Sequence, residues 1–208
     1  DNTAGVAPEL LAAIAAANDG PQKAYGDDPW TAQLDAAFSE LFATAVRAFV
    51  VTTGTAANAL SLATLSPPYG NVYAHSGAHV VEDECGAVEF FTGGARLTQI
   101  PGEHGRMDPA ALEQALLAHP ASVHTVQPAA ITLTQATELG TTYRPQAISA
   151  LSELAHRQGL HVHMDGARLA NAIEFLNCHP ADVTWRAGVD VLSFGATKNG
   201  ALAAEAVV

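Results

Sequence analysis

The stretch that decides the fold is Leu160-His161-Val162-His163-Met164-Asp165-Gly166-Ala167-Arg168. Residues 160–164 form a short run that is typical of a buried strand, and a polar turn follows directly. The residues before it, 145–158, have the pattern of a helix that Gly159 stops. A helix, a strand and then a carboxylate at the strand end indicate an α/β sheet, in which ligands lie beyond the carboxyl ends of the strands.

The same alternation of strand and helix continues on both sides of this stretch. We predict further strands at 49–51, 72–73, 96–100, 123–134 and 189–194, and the start of another within 201–208. We predict further helices at 34–42, 54–65, 79–91 and 109–118. Strands that alternate with helices need right-handed crossovers, so we predict one α/β domain over residues 1–208, with a mainly parallel sheet and helices on both faces.

The composition excludes several classes of protein. Nine Lys and Arg stand against 21 Asp and Glu, for a net charge of -12, so the chain lacks the clustered cations of a duplex-binding surface. No apolar stretch approaches the roughly 20 residues that cross a membrane. The two cysteines, Cys85 and Cys178, indicate a reducing compartment without a disulfide framework, and we expect a cytoplasmic protein.

The segment Thr52-Thr53-Gly54-Thr55-Ala56-Ala57-Asn58 lies between a predicted strand and a predicted helix. Gly54 permits a tight turn, after which Thr55 and Ala56 present backbone N–H groups where an anion such as phosphate binds well. A glycine turn with a threonine cap would give the same pattern. The P-loop pattern of nucleoside triphosphate sites is absent.

Asp165 and Arg168 follow the strand at 160–164. A carboxylate in this apolar setting needs a cationic partner. The protonated ring nitrogen of pyridoxal phosphate (PLP) is such a partner. The carboxylate would keep this nitrogen protonated and so keep the ring an electron sink. Arg168 could reach the ring oxygen or a substrate carboxylate. The alternative is a structural ion pair between Asp165 and Arg168.

Lys198 follows a predicted strand in a loop of small residues, Gly195-Ala196-Thr197-Lys198-Asn199-Gly200. Small neighbours let a planar ring approach, and limited water lowers the pKa of a lysine that forms an imine. Thr197 could add a phosphate contact. His79, which opens a predicted helix, could stack on a ring or relay a proton. For both Lys198 and His79, an ordinary structural role is the alternative.

Together and in order, these segments resemble the low-specificity L-threonine aldolases, PLP enzymes of the aspartate-aminotransferase fold family (fold type I). The matching segments are 1–3, 24–28, 54–58, 78–79, 83–87, 163–168 and 195–200. The resemblance implies a PLP-binding large domain. It also implies retro-aldol cleavage of L-threonine, L-allo-threonine or related β-hydroxy-α-amino acids to glycine and an aldehyde. The family further implies dimers paired into tetramers.

The resemblance also implies a role for each site residue. Lys198 matches the Schiff-base lysine, Asp165 the partner of the ring nitrogen, Arg168 the residue near the ring oxygen and substrate carboxylate, and His79 the histidine stacked on the ring. The phosphate loop is matched by Gly54 and Thr55, with Ala56 next to them. Residues expected near the substrate are Tyr25, at a subunit interface, Glu84 and Thr137.

The sequence departs from the family pattern at two places. Many members carry Glu-Asn-Thr-His after a central strand, whereas this chain reads Thr134-Gln135-Ala136-Thr137-Glu138, which resembles some threonine and phenylserine aldolases. The group that takes the substrate hydroxyl proton is therefore open, with His79 as the first candidate and Glu84, Glu138 or a phosphate-bound water as the next. The family also continues into a small C-terminal domain, which we expect to be missing here.

Three other functions remain open. A PLP lyase of the same fold, such as a β-eliminating one, would release ammonia instead of glycine. His161, His163 and Asp165 alternate along a strand and could face one metal ion, although this hypothesis leaves Lys198 and Gly54 unexplained. A non-catalytic PLP-binding fragment is the third alternative.

Overall fold

The computed structural model describes residues 3–118 and 122–208. Asp1 and Asn2, which contribute to the family resemblance, lie outside the described residues. Seven strands form one sheet in the order β1-β7-β6-β5-β4-β2-β3. The strands are β1 (Phe49–Val51), β2 (Gly70–His75), β3 (Arg96–Ile100), β4 (Gln127–Thr134), β5 (His161–Gly166), β6 (Val191–Gly195) and β7 (Glu205–Val207).

The sheet is mainly parallel, as predicted. Strands β3, β2, β4, β5 and β6 pair in parallel. Strand β7 runs antiparallel between β6 and β1, and it lies within the region where the sequence predicts the start of a further strand. The carboxyl ends of β1, β2, β4, β5 and β6 therefore meet at one edge of the sheet.

Helices cover both faces of the sheet, which confirms the predicted α/β class. The helices are α1 (Pro8–Ala17), α2 (Leu34–Phe42), α3 (Gly54–Leu65), α4 (His79–Glu82), α5 (Ala87–Phe91), α6 (Pro109–Leu117), α7 (Pro145–Arg157) and α8 (Leu169–Leu176). Alternate residues of β2 show the two layers: Tyr73 joins the larger apolar cluster, whereas Val72 and Ala74 join a second cluster with Leu62 of α3. No helix in the described part of the chain is both long and apolar enough to span a membrane.

The predicted helix at 79–91 is wrong. The structure divides it into α4 and α5, because Cys85 and Gly86 adopt left-handed backbone conformations with φ of 52° and 73°. Gly86 takes this conformation without the steric cost of a side chain. The break turns Glu84 into the interior, where it is 4% exposed. An apolar pattern that suits one continuous helix carries no signal for this change of direction.

Other boundaries also differ from the sequence prediction. Helices α1 and α8 were not predicted, and β4 begins at Gln127 instead of 123. Val123 is almost fully exposed, so its apolar character does not reflect a place in the sheet. The remaining predicted helices and strands overlap observed ones.

Candidate active site

The carboxyl edge of the sheet gathers the predicted site residues from distant parts of the chain. Asp165 lies at the end of β5, Lys198 in a short turn after β6, and His79 at the start of α4 after β2. Helix α3 starts beside them, after β1. The position follows from the parallel strands, whose carboxyl ends all reach the same edge.

Asp165 is buried and held by two hydrogen bonds. Its Oδ2 accepts from Asn58 Nδ2 at 2.8 Å, and its Oδ1 accepts from the Ala167 backbone N–H at 3.0 Å. A carboxylate has about four lone-pair positions, so two bonds leave it able to accept another donor. Asp165 is thus a fixed carboxylate that can still bind a ligand N–H.

A hydrogen-bond chain links Asp165 to His79. Asn58 Nδ2 donates to Glu84 Oε1 as well, also at 2.8 Å. The same Oε1 lies 2.9 Å from His79 Nδ1, and this hydrogen bond raises the pKa of His79. Because Nδ1 is engaged by Glu84, Nε2 is the ring nitrogen left for a ligand.

Glu138 anchors the backbone at His79. Its Oε1 accepts from the His79 backbone N–H at 2.8 Å. Its Oε2 is buried and has no hydrogen-bond partner among the described residues. The segment that departs from the family pattern therefore places a carboxylate beside His79, where many family members carry a histidine.

Lys198 has the electrostatic setting of an amine nucleophile. The chain has two lysines, Lys23 and Lys198, and Lys23 lies on the exposed surface. Partial burial and the positive charge of Arg168 lower the pKa of Lys198. The negative charges of Asp165, Glu205 and Glu138 act in the opposite direction. A lowered pKa makes more of the neutral, nucleophilic amine available.

The start of α3 fits an anion, with one change to the predicted donors. Thr53 is the N-cap, and its side chain accepts from the Ala56 backbone N–H at 3.0 Å. The N–H of Ala56, which was predicted to be free for an anion, is therefore engaged within the chain. Gly54 and Thr55 present the remaining N–H groups of the first turn, which have no intrahelical acceptor.

Thr197 is engaged by a carboxylate that the sequence analysis did not single out. Its hydroxyl donates to Glu205 Oε1 and accepts from the Ala204 backbone N–H. A Cβ placed on Gly54 would lie 3.7 Å from Glu205 Oε2. Glu205 thus faces the predicted phosphate loop, and burial raises the pKa of Glu205.

The remaining predicted site residues lie in different surroundings. Arg168 precedes α8 next to Asp165 and is partly buried. Tyr25 is fully exposed in a loop with φ of 62°. Thr137 is fully buried, and its hydroxyl lies 2.8 Å from that of Thr141 in a tight turn. These contacts give Thr137 a structural role, and its contact with the substrate stays a prediction.

The metal hypothesis has no geometric support. Among the residues described, no three His, Cys, Asp or Glu side chains come close enough to hold a metal ion. His161 is exposed at the opposite end of β5. His163 is fully buried, with its ring nitrogens 2.8 Å from the hydroxyls of Thr132 and Ser193, and burial lowers its pKa to about 4.

Sequence reasoning missed Asn58 and Glu205 as members of the site. Asn58 stood in the quoted phosphate segment, and its position four residues after Gly54 places it on the same helical face. Glu205 is the single charged residue in the segment 201–208. A charged residue in an otherwise apolar segment was the available signal for Glu205, whereas Asn58 stands in a segment that contains several threonines and so lacks such a contrast.

The side chains at this edge fit a PLP molecule. They combine a lysine of lowered pKa, a buried carboxylate for a ring nitrogen, and helix N–H groups for a phosphate. Gly195 is required by close packing at this edge, since a Cβ there would come within 2.8 Å of Ala167 Cα and 2.9 Å of Glu205 Oε2. These groups therefore match the aldehyde, the ring nitrogen and the phosphate of this cofactor.

Comparison with known proteins assigns the chain to an enzyme family that agrees with a PLP site at this edge of the sheet. The chain belongs to the beta-eliminating lyase family, which it matches over residues 1–208. Two curated relatives, from Pseudomonas aeruginosa and another Pseudomonas strain, are low-specificity L-threonine aldolases, at 48% and 46% identity over the whole chain. The chain spans 60% of the length of each relative.

Solved structures show the same fold. Threonine aldolase from Leishmania major superposes with a TM-score of 0.91 at 29% identity, over 99% of this chain and 60% of that one. A protein from Listeria monocytogenes described as a putative L-allo-threonine aldolase has a TM-score of 0.79 at 17% identity, over 99% of this chain and 56% of that one. The second likeness shows the fold alone.

Proposed function

We propose that this chain is the PLP-binding part of an enzyme that cleaves L-threonine, L-allo-threonine or a related β-hydroxy-α-amino acid into glycine and an aldehyde. The observation that carries the proposal is the meeting of Lys198, buried Asp165 and the start of α3 at one edge of the sheet. The activity named for the Pseudomonas relatives supports the substrate class.

Each residue of the site has a task in this reaction. When bound, PLP supplies the electron sink for breaking the Cα–Cβ bond. Lys198 would hold it covalently through Nζ, and Asp165 would keep a proton on the ring nitrogen. Gly54 and Thr55 would bind the phosphate through their N–H groups. Arg168 would orient the substrate carboxylate.

His79 is our candidate for the group that takes the substrate hydroxyl proton. Glu84 fixes Nδ1, and Nε2 is left for the proton. The hydrogen bond to Glu84 raises the pKa of His79 and so makes the imidazole a stronger base. The second role of His79 is to stack on the ring.

A β-eliminating lyase is the second candidate, because the matched family carries that description. The two reactions use the same cofactor and differ in the bond that breaks. Analysis of products from the full-length protein separates them: glycine with an aldehyde supports aldol cleavage, whereas ammonia supports elimination.

The cellular location and the subunit assembly of the protein are part of the same proposal. Cys85 and Cys178 are free thiols, which supports a cytoplasmic location. Helix α1 has no buried residue, and its Leu10, Leu11 and Ile14 are exposed. Such an apolar helix supports an assembly of several subunits, for which we propose a dimer of dimers.

Absorbance spectroscopy of the full-length protein tests the cofactor. We expect a yellow protein, and borohydride should fix PLP to the peptide that contains Lys198, as read by mass spectrometry. Lys198→Ala should lose this linkage and turnover. Lys23→Ala is the matched control, because it removes a lysine that lies on the exposed surface of this chain. Full turnover by Lys198→Ala would refute the assignment.

A further inference from the structure

Asn58 is a polar side chain that is buried between two carboxylates, which is unusual for a residue of the core. It is 1% exposed and projects from α3 between two carboxylates that are each 4% exposed, Asp165 and Glu84. Its two amide N–H groups match the two bonds, each of 2.8 Å, to these carboxylates. With the amide turned over, its oxygen would face two carboxylate oxygens, which electrostatic repulsion disfavours.

The arrangement is costly as a purely structural device. Asn58 Oδ1 and Glu84 Oε2 are both buried and have no hydrogen-bond partner in the described part of the chain. Each buried, unsatisfied polar atom destabilises the fold, because its hydrogen bonds to water are lost and not replaced. An apolar side chain facing apolar neighbours would fill the space at lower cost, so the network points to a role in the site.

We propose that Asn58 is a positioning residue, which joins Asp165 to Glu84 and so fixes the ring-nitrogen carboxylate and His79 as one unit. This inference rests on the proposed function and deepens it. The side-chain hydrogen bonds of Asn58 among the described residues go to Glu84 and Asp165, and not to His79. It acts through Glu84 Oε1, which accepts from Asn58 and from His79 Nδ1.

Helix α3 also connects this unit to the phosphate loop. Gly54 and Thr55 lie in the first turn of α3, and Asn58 lies one turn later, about 6 Å further along the axis at 1.5 Å per residue. One rigid helix therefore sets the separation between the phosphate donors and Asp165. A cofactor held by its phosphate would meet a carboxylate whose place is already fixed.

The first test is an NMR titration of His79 in the cofactor-free, full-length protein. The groups that act on His79 are Glu84, Asp165 and Lys198, and Glu138 binds its backbone N–H. In Asn58→Leu, Glu84 loses the donor that holds Oε1 toward the imidazole. We expect the pKa of His79 to lose most of its upward shift and to approach the ordinary value of about 6.5.

Two variants keep this test decisive. Asn71→Leu is the matched control: Asn71 is a fully buried asparagine bonded to Thr98 at the opposite edge of the sheet, and its loss should leave His79 unchanged. Asn58→Ala removes the bridging amide without adding a charge, and it replaces Asn58→Leu if that variant fails to fold. An unchanged pKa of His79 in a folded Asn58 variant overturns the inference.

A double-mutant cycle on turnover tests the same unit in the PLP-loaded protein. Asn58→Leu and His79→Phe together should lower kcat by less than the product of their separate effects, by a factor of about 2 to 150. Asn71→Leu should combine multiplicatively with His79→Phe. Multiplicative behaviour of Asn58→Leu would overturn the inference. If the NMR shift is found and no β-hydroxy-α-amino acid is cleaved, the proposed function fails and the positioning role stands.

Discussion

The two ends of the candidate site are built differently. At the ring end, Asp165, Asn58, Glu84 and His79 form one hydrogen-bonded network that is mostly buried. At the phosphate end, the chain presents a partly exposed helix start, and Glu205 faces it. The ring end is organised by the protein alone, whereas the phosphate end has a negative charge where another negative charge is expected to bind.

This difference has an energetic meaning. A preorganised network needs no rearrangement when the ligand arrives, so changes there should affect the rate of the chemical step. Substitutions at the phosphate end, which must accommodate an incoming anion, should affect binding of the cofactor. Substitutions at the two ends should therefore separate into effects on kcat and effects on PLP affinity.

The largest effect is expected at the ring end, for His79→Phe. A flat ring is kept, so PLP affinity should change little, but proton transfer is lost and kcat should fall by about 10²–10⁴-fold. Steady-state kinetics and PLP titration of the full-length protein measure the two quantities. His161→Phe, an exposed position at the opposite end of β5, is the control. A parental rate for His79→Phe would move the search for the base to Glu138.

The buried polar layer under Asp165 should make stability depend on pH. Burial holds the pKa of His163 at about 4, below the ordinary value of about 6.5, so the folded protein disfavours the protonated ring. The contribution of the neutral His163 ring to the free energy of unfolding is present above pH 6.5. It is lost as the pH falls toward 4, by about 3 kcal/mol in total. Urea unfolding of the parent and of His163→Gln at pH 7 and pH 5 measures it. Parallel pH dependence in both proteins would contradict the assignment.

At the phosphate end, Thr55→Val should weaken PLP binding without a comparable fall in kcat. The substitution removes a hydroxyl and keeps the backbone donors, and one hydrogen bond to a charged group is worth about 1.5–3 kcal/mol. Thr64→Val is the control, because Thr64 is exposed on the same helix and its hydroxyl donates to the backbone carbonyl of Leu60. Equal PLP affinity in the parent and Thr55→Val would locate the phosphate elsewhere.

The smallest effect is expected for Glu205→Gln. The raised pKa of Glu205 means that its negative charge appears over a higher pH range than usual, so repulsion of the phosphate should increase as the pH rises. The side chain is half-exposed, and such charge interactions are worth about 0.2–1 kcal/mol. We expect PLP to bind the variant a few-fold more tightly at neutral pH, with a flatter pH dependence. Weaker binding would mean that Glu205 assists the phosphate end by holding Thr197.

Much of the fold and of the candidate site could be predicted from local patterns. The strand ending at Asp165, the loop of Lys198 and the glycine turn at Gly54 each carry their signal within a few neighbouring residues. Parallel strands then bring their carboxyl ends to one edge, so the approximate site follows from the order of elements. The same reasoning failed at 79–91, because a reversal at Cys85 and Gly86 is a backbone property that apolar spacing does not encode.

The sequence by itself therefore determined the α/β class, the strand ends and the identities of Lys198, Asp165 and His79 as site candidates. Only the tertiary structure decided which polar groups hold them. Asn58 meets Glu84 across 26 residues and Asp165 across 107 residues of sequence. Pairings at such separations depend on how α3 packs against the sheet and on where the chain turns before α5. The physical reason is that a buried polar group must find its partner in space, and no local pattern specifies that partner.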